Sequence, residues 1–348
     1  MTISSRWGDP ARSAQASLND KPRRPWATQG DIGYMAALVL ATGLNILPSA
    51  IRTGIIHWSS RMAGTIWHKT NRGTVRRVRH HLQVLFDYEE TNTKLESLVH
   101  DHLVLSSWNA LILNLLPSLH DEHLNRLLQI DGLHHLGELQ KQGRAILLLG
   151  AHYGAYGYAV AATLSAQGYP TWLAGYGGSH TPPPQTSHLY NKLYWPKVQH
   201  LNQRIRMTTI TPGGKPQPEL VKVLEQKTDI FYLLADQYFI VRPGQDHPAH
   251  LVPLRFLDHT VYLDVSGVRL AKQKEAQPLT ALPVKDGYHR HVLIEPLEWA
   301  SDGTATADIA QDLQVYLTRL EQRLLEYPAL WRDLRRPDLL PRMGIFES

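Results

Sequence analysis

The feature that most constrains this chain is an apolar run that stops on a glycine. Residues 144–160 read Arg-Ala-Ile-Leu-Leu-Leu-Gly-Ala-His-Tyr-Gly-Ala-Tyr-Gly-Tyr-Ala-Val. The five apolar residues 145–149 have the length of a strand buried on both faces, as in a parallel sheet covered by helices. Gly150 punctuates the run, and the small residues from about Gly154 onward begin a helix that can lie close on the sheet. His152 falls in the turn between strand and helix. In open α/β sheets ligands bind in the crevice at the carboxyl ends of the strands, so a titratable side chain in that turn is a candidate for chemistry.

Two chemistries compete for this turn. The glycine spacing at Gly150, Gly154 and Gly157 superficially resembles a dinucleotide-binding turn, which also needs an acidic residue about 20 positions further on for the ribose. That acid is missing. Between Glu138 and Glu219 the chain has no Asp or Glu, whereas Lys141, Arg144, Lys192, Lys197, Arg204, Arg206 and Lys215 all occur there. A basic, acid-free stretch suits an anionic ligand, and Arg204 and Arg206 are candidates for a phosphate or pantetheine contact. The other chemistry is acyl transfer, with His152 as general base on an acceptor hydroxyl and an acid one helical turn later holding the imidazole. Gly157 stands in the acid's place. Replacing it with Glu is expected to stabilise the helix by up to about 1 kcal/mol where there is room.

Composition narrows the partners. The 348 residues are 43% hydrophobic, enough for one large catalytic domain. A net charge of +5 and a pI near 9.2 suit phospholipid surfaces, CoA or an acidic carrier protein. The absence of Cys excludes disulfides, thiol nucleophiles and thiolate metal sites. No Gly-x-Ser-x-Gly elbow occurs, and the 19 His residues lack zinc-site spacing, so neither a serine hydrolase nor a metal or cofactor is expected. No recognisable nucleic-acid motif is present.

The N-terminal organisation follows from charge and hydropathy. Residues 1–30, rich in Ser, Pro, Arg and Gln, are expected to be mobile. Residues 31–72 are expected to form a membrane-associated helical segment. No charge occurs between Asp31 and Arg52, residues 34–47 are largely apolar, and Trp26, Trp58, Trp67, Arg52, Arg61, Lys69 and Arg72 flank them. Pro48 and Asn45 make a full span short and an interfacial anchor an equal alternative, with a buried core helix as the third reading. The remaining residues, 73–348, form the expected catalytic domain.

Helices are expected over 72–86, which is basic and amphipathic, and over 91–116, ending at Pro117. Beyond the His152 turn the pattern alternates as an α/β sheet flanked by helices requires. Strands are expected over 171–174, 207–211 and 230–235, and helices over 187–203, broken at Pro196, and 219–226. A Gly/Pro-rich loop covers 175–184. Asp236 and Gln237 end the 230–235 strand, at the same sheet edge as His152 if the strands are parallel. Asp236 is therefore a candidate for orienting His152 or binding the acceptor, and Gln237 is a candidate beside it. Tyr153, Tyr156 and Tyr158 could shape an acceptor pocket.

With these residues in place the chain resembles the lipid A biosynthesis lauroyl/myristoyl acyltransferases of the lysophospholipid acyltransferase superfamily. Their hallmark is His-x4-Asp/Glu, which His152 matches and Gly157 does not. The resemblance continues through Leu233-Leu234-Ala235-Asp236-Gln237, Val252-Pro253, Arg269-Leu270-Ala271 and Pro278 to Val284, then Tyr327-Pro328-Ala329-Leu330-Trp331 and Arg335-Arg336. It departs again at Arg255-Phe256-Leu257.

The resemblance implies an acyltransferase-type mixed α/β fold on the cytoplasmic side of the cell inner membrane. It further implies transfer of a fatty acyl group from acyl-CoA or acyl carrier protein to a hydroxyl of a lipid, with His152 as base. The opposed expectation is an inactive lipid-binding relative that kept the fold and lost the acid.

Overall fold

The computed structural model describes residues 39–89, 93–154, 157–175, 187–210, 213, 218–242, 244–284 and 291–346. It is an α/β protein built on a mixed seven-stranded sheet. In chain order the strands are β1 (Gln129–Asp131), β2 (Ile146–Gly150), β3 (Thr171–Gly175), β4 (Thr208–Thr209) and β5 (Ile230–Leu234). An antiparallel hairpin follows, β6 (Leu251–Phe256) with β7 (His259–Asp264), and then β8 (Gln277–Val284) and β9 (His291–Pro296) rejoin the sheet. The order across the sheet is β1-β9-β8-β2-β5-β3-β4. Within this sheet, among the described residues, only the β8–β9 pair is antiparallel.

The two central strands are the two apolar runs of the sequence. Every residue of β2 and β5 is buried. Successive side chains point to opposite faces of a strand, and the core divides accordingly. Leu147, Leu149, Phe231 and Leu233 belong to one apolar cluster, and Ile146, Leu148, Ile230, Tyr232 and Leu234 to the other.

Helices close both faces. In chain order they are α1 (Ser49–Thr70), α2 (Arg72–Phe86), α3 (Thr93–Leu115), the one-turn α4 (Asp121–Leu124), α5 (Leu133–Lys141) and α6 (Gly157–Ala166). They continue with α7 (His188–Leu193), α8 (Trp195–Arg204), α9 (Pro218–Gln226), α10 (Ser266–Gln273), α11 (Thr306–Glu326) and α12 (Leu339–Arg342). Pro196 lies in the first turn of α8, where a missing N–H is harmless, so the expected break falls at Tyr194. The expected 207–211 strand is reduced to the two residues of β4. Residues 1–38, 156 and 176–186, and with them the segment 1–30 expected to be mobile, most of the 175–184 loop and Tyr156, lie outside the described residues.

At the N-terminal end of the described chain, residues 39–46 are helical and Pro48 precedes α1. No helix among the described residues is long and apolar enough to cross a membrane. Ala41 and Leu44 are buried in the core, and α1 lies along α3 with Arg52, Ile56, Ser60 and Gly64 buried. The opposite face of α1 carries Ile51, Trp58, Met62 and Ile66, all exposed. Their spacing of seven, four and four residues sets them on one stripe, and Arg61 and Lys69 are exposed beside it.

Candidate active site

The site is built by strand register. In the parallel pair β2–β5, Gly150 stands opposite Leu234. Two residues beyond each strand end therefore come His152 and Asp236, side by side at the carboxyl edge of the sheet. Asp236 is fully buried, and its carboxylate meets His152 at two points. Oδ2 accepts the backbone N–H of His152 at 2.6 Å, and Oδ1 lies 2.8 Å from its Nδ1. A carboxylate facing Nδ1 fixes the proton there, which leaves the lone pair on Nε2. The imidazole is 19% exposed, and Nε2 has no protein partner among the described residues.

Two opposing effects act on Asp236. Burial pushes its carboxyl up. The charge of His152, the two hydrogen bonds from that residue and the nearby Arg332 guanidinium act against burial, and the balance lies below the ordinary carboxylate range. Asp236 is therefore an anion poised to stabilise an imidazolium.

The segment from Tyr327 to Arg336 crosses beside this turn. Gly154 donates its N–H to the Leu330 carbonyl at 2.7 Å, Arg332 donates its N–H to the His152 carbonyl at 2.9 Å, and Tyr153 pairs with Trp331 as an antiparallel bridge. The Asn109 side chain donates to the Gly154 carbonyl at 3.0 Å, and the Tyr316 hydroxyl donates to the Gly150 carbonyl at 2.7 Å. Gly154 has φ +64°, and a Cβ there would stand 2.4 Å from the Pro283 ring, so only glycine fits this corner.

Two buried histidines anchor the crossing segment from below. The Nδ1 of His102 faces the Ala329 carbonyl at 3.0 Å, and that of His81 faces the Leu334 carbonyl at 2.7 Å. A carbonyl only accepts, so both Nδ1 atoms carry the proton and donate it. Burial holds His102 down to about 4 and also lowers His81, which keeps both neutral.

Reading the sequence brought His152 and Asp236 forward but missed Arg332 and Asp333, which the crossing segment delivers to the same place. Asp333 is buried. Burial and then the charge of Asp236 raise its carboxyl, against the lowering effects of His152, Arg332 and Arg336. The two carboxyls are thus driven apart, Asp236 down and Asp333 up. Arg332 and Asp333 lie between Tyr327 to Trp331 and Arg335-Arg336, the two pieces the resemblance marked.

Tyr153 is buried, and its hydroxyl donates to the carbonyls of Arg323 (2.7 Å) and Tyr327 (3.2 Å), which makes it a brace for the crossing segment. The Tyr158 hydroxyl contacts the Met207 sulfur at 2.8 Å. Gln237 is half-buried next to Asp236. Arg206 is paired with Asp229 and lies over the Trp172 ring, and Arg204 is paired with Asp121. None of these arginine contacts reaches the His152–Asp236 pair. Glu219, the first acid after the acid-free stretch, is exposed on α9.

Gly157 has a packing reason to be glycine. A Cβ there would stand 2.9 and 3.0 Å from the two methyl carbons of Leu234, a buried residue at the end of β5. The expected gain required room, and here the Leu234 side chain must shift before any side chain fits. No protein-family model matches the chain, and no curated protein matches it.

Proposed function

We propose that the chain is an acyltransferase that moves a fatty acyl group from a thioester, acyl-CoA or acyl carrier protein, to a hydroxyl of a lipid. One observation carries this reading. A buried carboxylate holds the Nδ1 side of His152, while Nε2 of the partly exposed imidazole has no hydrogen-bond partner among the described residues, at the carboxyl edge of a parallel pair. Asp236 then does from the neighbouring strand what an acid at position 157 would do from the same helix. The alternative of an inactive relative rested on a missing acid, and it loses that support.

In the proposed reaction Nε2 of His152 takes the acceptor hydroxyl proton as the oxygen bonds to the thioester carbonyl carbon. Asp236 stabilises the imidazolium, and the positive charge of Arg332 beside the pair stabilises the oxyanion. The C–S bond then breaks, and the departing thiolate takes the proton from Nε2. An ester and a free thiol result, with no cofactor in the balance.

The same reading supplies a surface. The exposed stripe of Ile51, Trp58, Met62 and Ile66, with Arg61 and Lys69 beside it, has the make-up of a helix lying in an anionic membrane interface. That location would bring a lipid acceptor to the enzyme on the cytoplasmic face of the inner membrane. The test is to incubate purified protein with acyl-CoA or acyl carrier protein thioesters of graded length and a membrane lipid extract, and to detect acylated lipid by mass spectrometry. Acylated lipid with the wild type and none with His152→Ala supports the reading, whereas equal product from both removes it.

A further inference from the structure

Asp333 is a buried acid that the proposed reaction does not use. It sits in the 3-10 turn Arg332–Arg335, next in sequence to the guanidinium that stands beside the dyad. Its Oδ1 has no hydrogen-bond partner among the described residues and lies 3.7 Å from Nε of Arg332, close enough for an ion pair and too far for a hydrogen bond. An ionised carboxylate there is poorly supported, because burial removes water and no donor meets Oδ1. Asp236, already an anion, opposes a second negative charge. Arg336, the weakest of the opposing positive charges on Asp333, holds Asp338 together with Arg342. Arg77 of α2 donates to the Arg335 carbonyl at 3.1 Å, and the charge of Arg335 falls on His102. Burial keeps the nearby His81, His102 and Tyr238 neutral.

With Asp333 protonated, the negative charge of Asp236 and the positive charge of Arg332 cancel, and His152 enters the reaction as a neutral base. With Asp333 ionised, the site carries one negative charge in excess. That charge lies against Arg332 and acts on His152 as well. It quenches the cation that must meet the oxyanion, and it favours a protonated imidazole before the acceptor hydroxyl arrives. We propose that Asp333 is a positioning residue that works as a neutral acid. While it keeps its proton, Arg332 keeps its charge for the thioester oxyanion and His152 stays a base. When it loses the proton, it takes Arg332 as its own counter-ion and transfer slows. The proton on Asp333 takes no part in the bond changes, so the balance of the reaction is unaltered. This role rests on the acyl-transfer reading, whereas the protonated state of Asp333 does not.

The experiment compares the full-length wild type with Asp333→Asn, whose amide has the size and the neutrality of the protonated acid. The first arm is kcat/KM for thiol release across a pH series, read as the ratio of variant to wild type. That ratio should climb with pH through a single one-proton step, by about tenfold, as the wild type loses the use of Arg332 and the variant does not. A purely structural Asp333 would give a ratio that is flat in pH. The second arm is urea denaturation of both proteins at about pH 4 and pH 7, which needs no turnover. A carboxyl held up by the fold costs stability as pH rises above its unfolded value, so the variant should gain on the wild type between the two pH values. His102 titrates in both proteins and cancels in the difference. A flat or falling ratio, or a stability gap that does not widen toward pH 7, would each overturn the proposal. Absence of thiol release by either protein at any pH would retire the acyl-transfer reading instead, and the stability gap would still decide whether Asp333 holds its proton in the fold.

Discussion

Asp236 grips His152 through both carboxylate oxygens, one on the backbone N–H at 2.6 Å and one at Nδ1 at 2.8 Å. The backbone contact ties the two strand ends together, and the side-chain contact selects the imidazole tautomer. The first is structural and the second chemical, and a single substitution can separate them.

Asp236→Asn is that substitution. The amide oxygen can still accept the His152 backbone N–H, but the amide nitrogen then faces Nδ1 and forces the proton onto Nε2, the atom that must be basic. Turnover is expected to fall by three to four orders of magnitude. The midpoint of thermal unfolding at neutral pH should move far less than the activity does. Parallel circular-dichroism melts and thioester assays on both proteins make the comparison, and unchanged turnover in a folded variant would exclude Asp236 from the mechanism.

Gly157→Glu tests whether the site wants the acid that the sequence lacks. The added Cβ meets Leu234 at 2.9 Å inside a packed helix–sheet contact, so overpacking should cost about 1–3 kcal/mol. Turnover should not rise, since Asp236 already occupies Nδ1. Urea denaturation together with activity measures both, and a gain in turnover would mean that Asp236 does not supply the acid.

Much of this arrangement was legible because it is local or periodic. The apolar runs 145–149 and 230–235 became β2 and β5, and their shared direction places Asp236 beside His152, as expected for parallel strands. Other parts carried no local signal. Strand β1 has three residues with only Ile130 buried, too few for a period to emerge. Helix α1 buries Arg52, Ser60 and Gly64 alongside Ile56 and exposes Ile51, Trp58 and Ile66, so its hydrophobic pattern is the reverse of an ordinary surface helix. Arg332 and Asp333 reach the site through a bridge between residues about 180 positions apart, and the requirement for glycine at position 157 depends on a Leu234 side chain from another strand.

His102 gives a pH dependence with a definite sign. Its pKa is held near 4 in the fold against 6.5 when unperturbed, so the unfolded chain binds the proton first as pH falls. Stability is therefore complete above about pH 6.5 and is lost progressively toward pH 4, by up to about 3 kcal/mol from this group. His102→Asn keeps an N–H near the Ala329 carbonyl and removes the titration. Denaturation curves at pH 7 and pH 5 should differ less for His102→Asn than for the wild type. An equal difference in both would show that the acid sensitivity arises elsewhere.

The buried pair Lys272–Asp312, 2.5 Å apart and also bonded to Ser301 and Ala300, offers a control that makes no contact with the dyad. Asp312→Ala leaves a buried ammonium without its counter-charge and should destabilise by about 3–5 kcal/mol. Replacing both residues together with apolar side chains of similar volume should recover much of that loss. Chemical denaturation of the three proteins tests this, and a single variant as stable as the wild type would contradict it.

The measurement closest to the central claim is the rate of thiol release from a fatty acyl thioester in the presence of lipid acceptor, for wild type, His152→Ala and Asp236→Asn. The account predicts acceptor-dependent release by the wild type and a loss of at least a thousandfold in both variants, with all three proteins folded. Wild-type release that survives either substitution, or a folded wild type that releases no thiol with any chain length or acceptor, would contradict it.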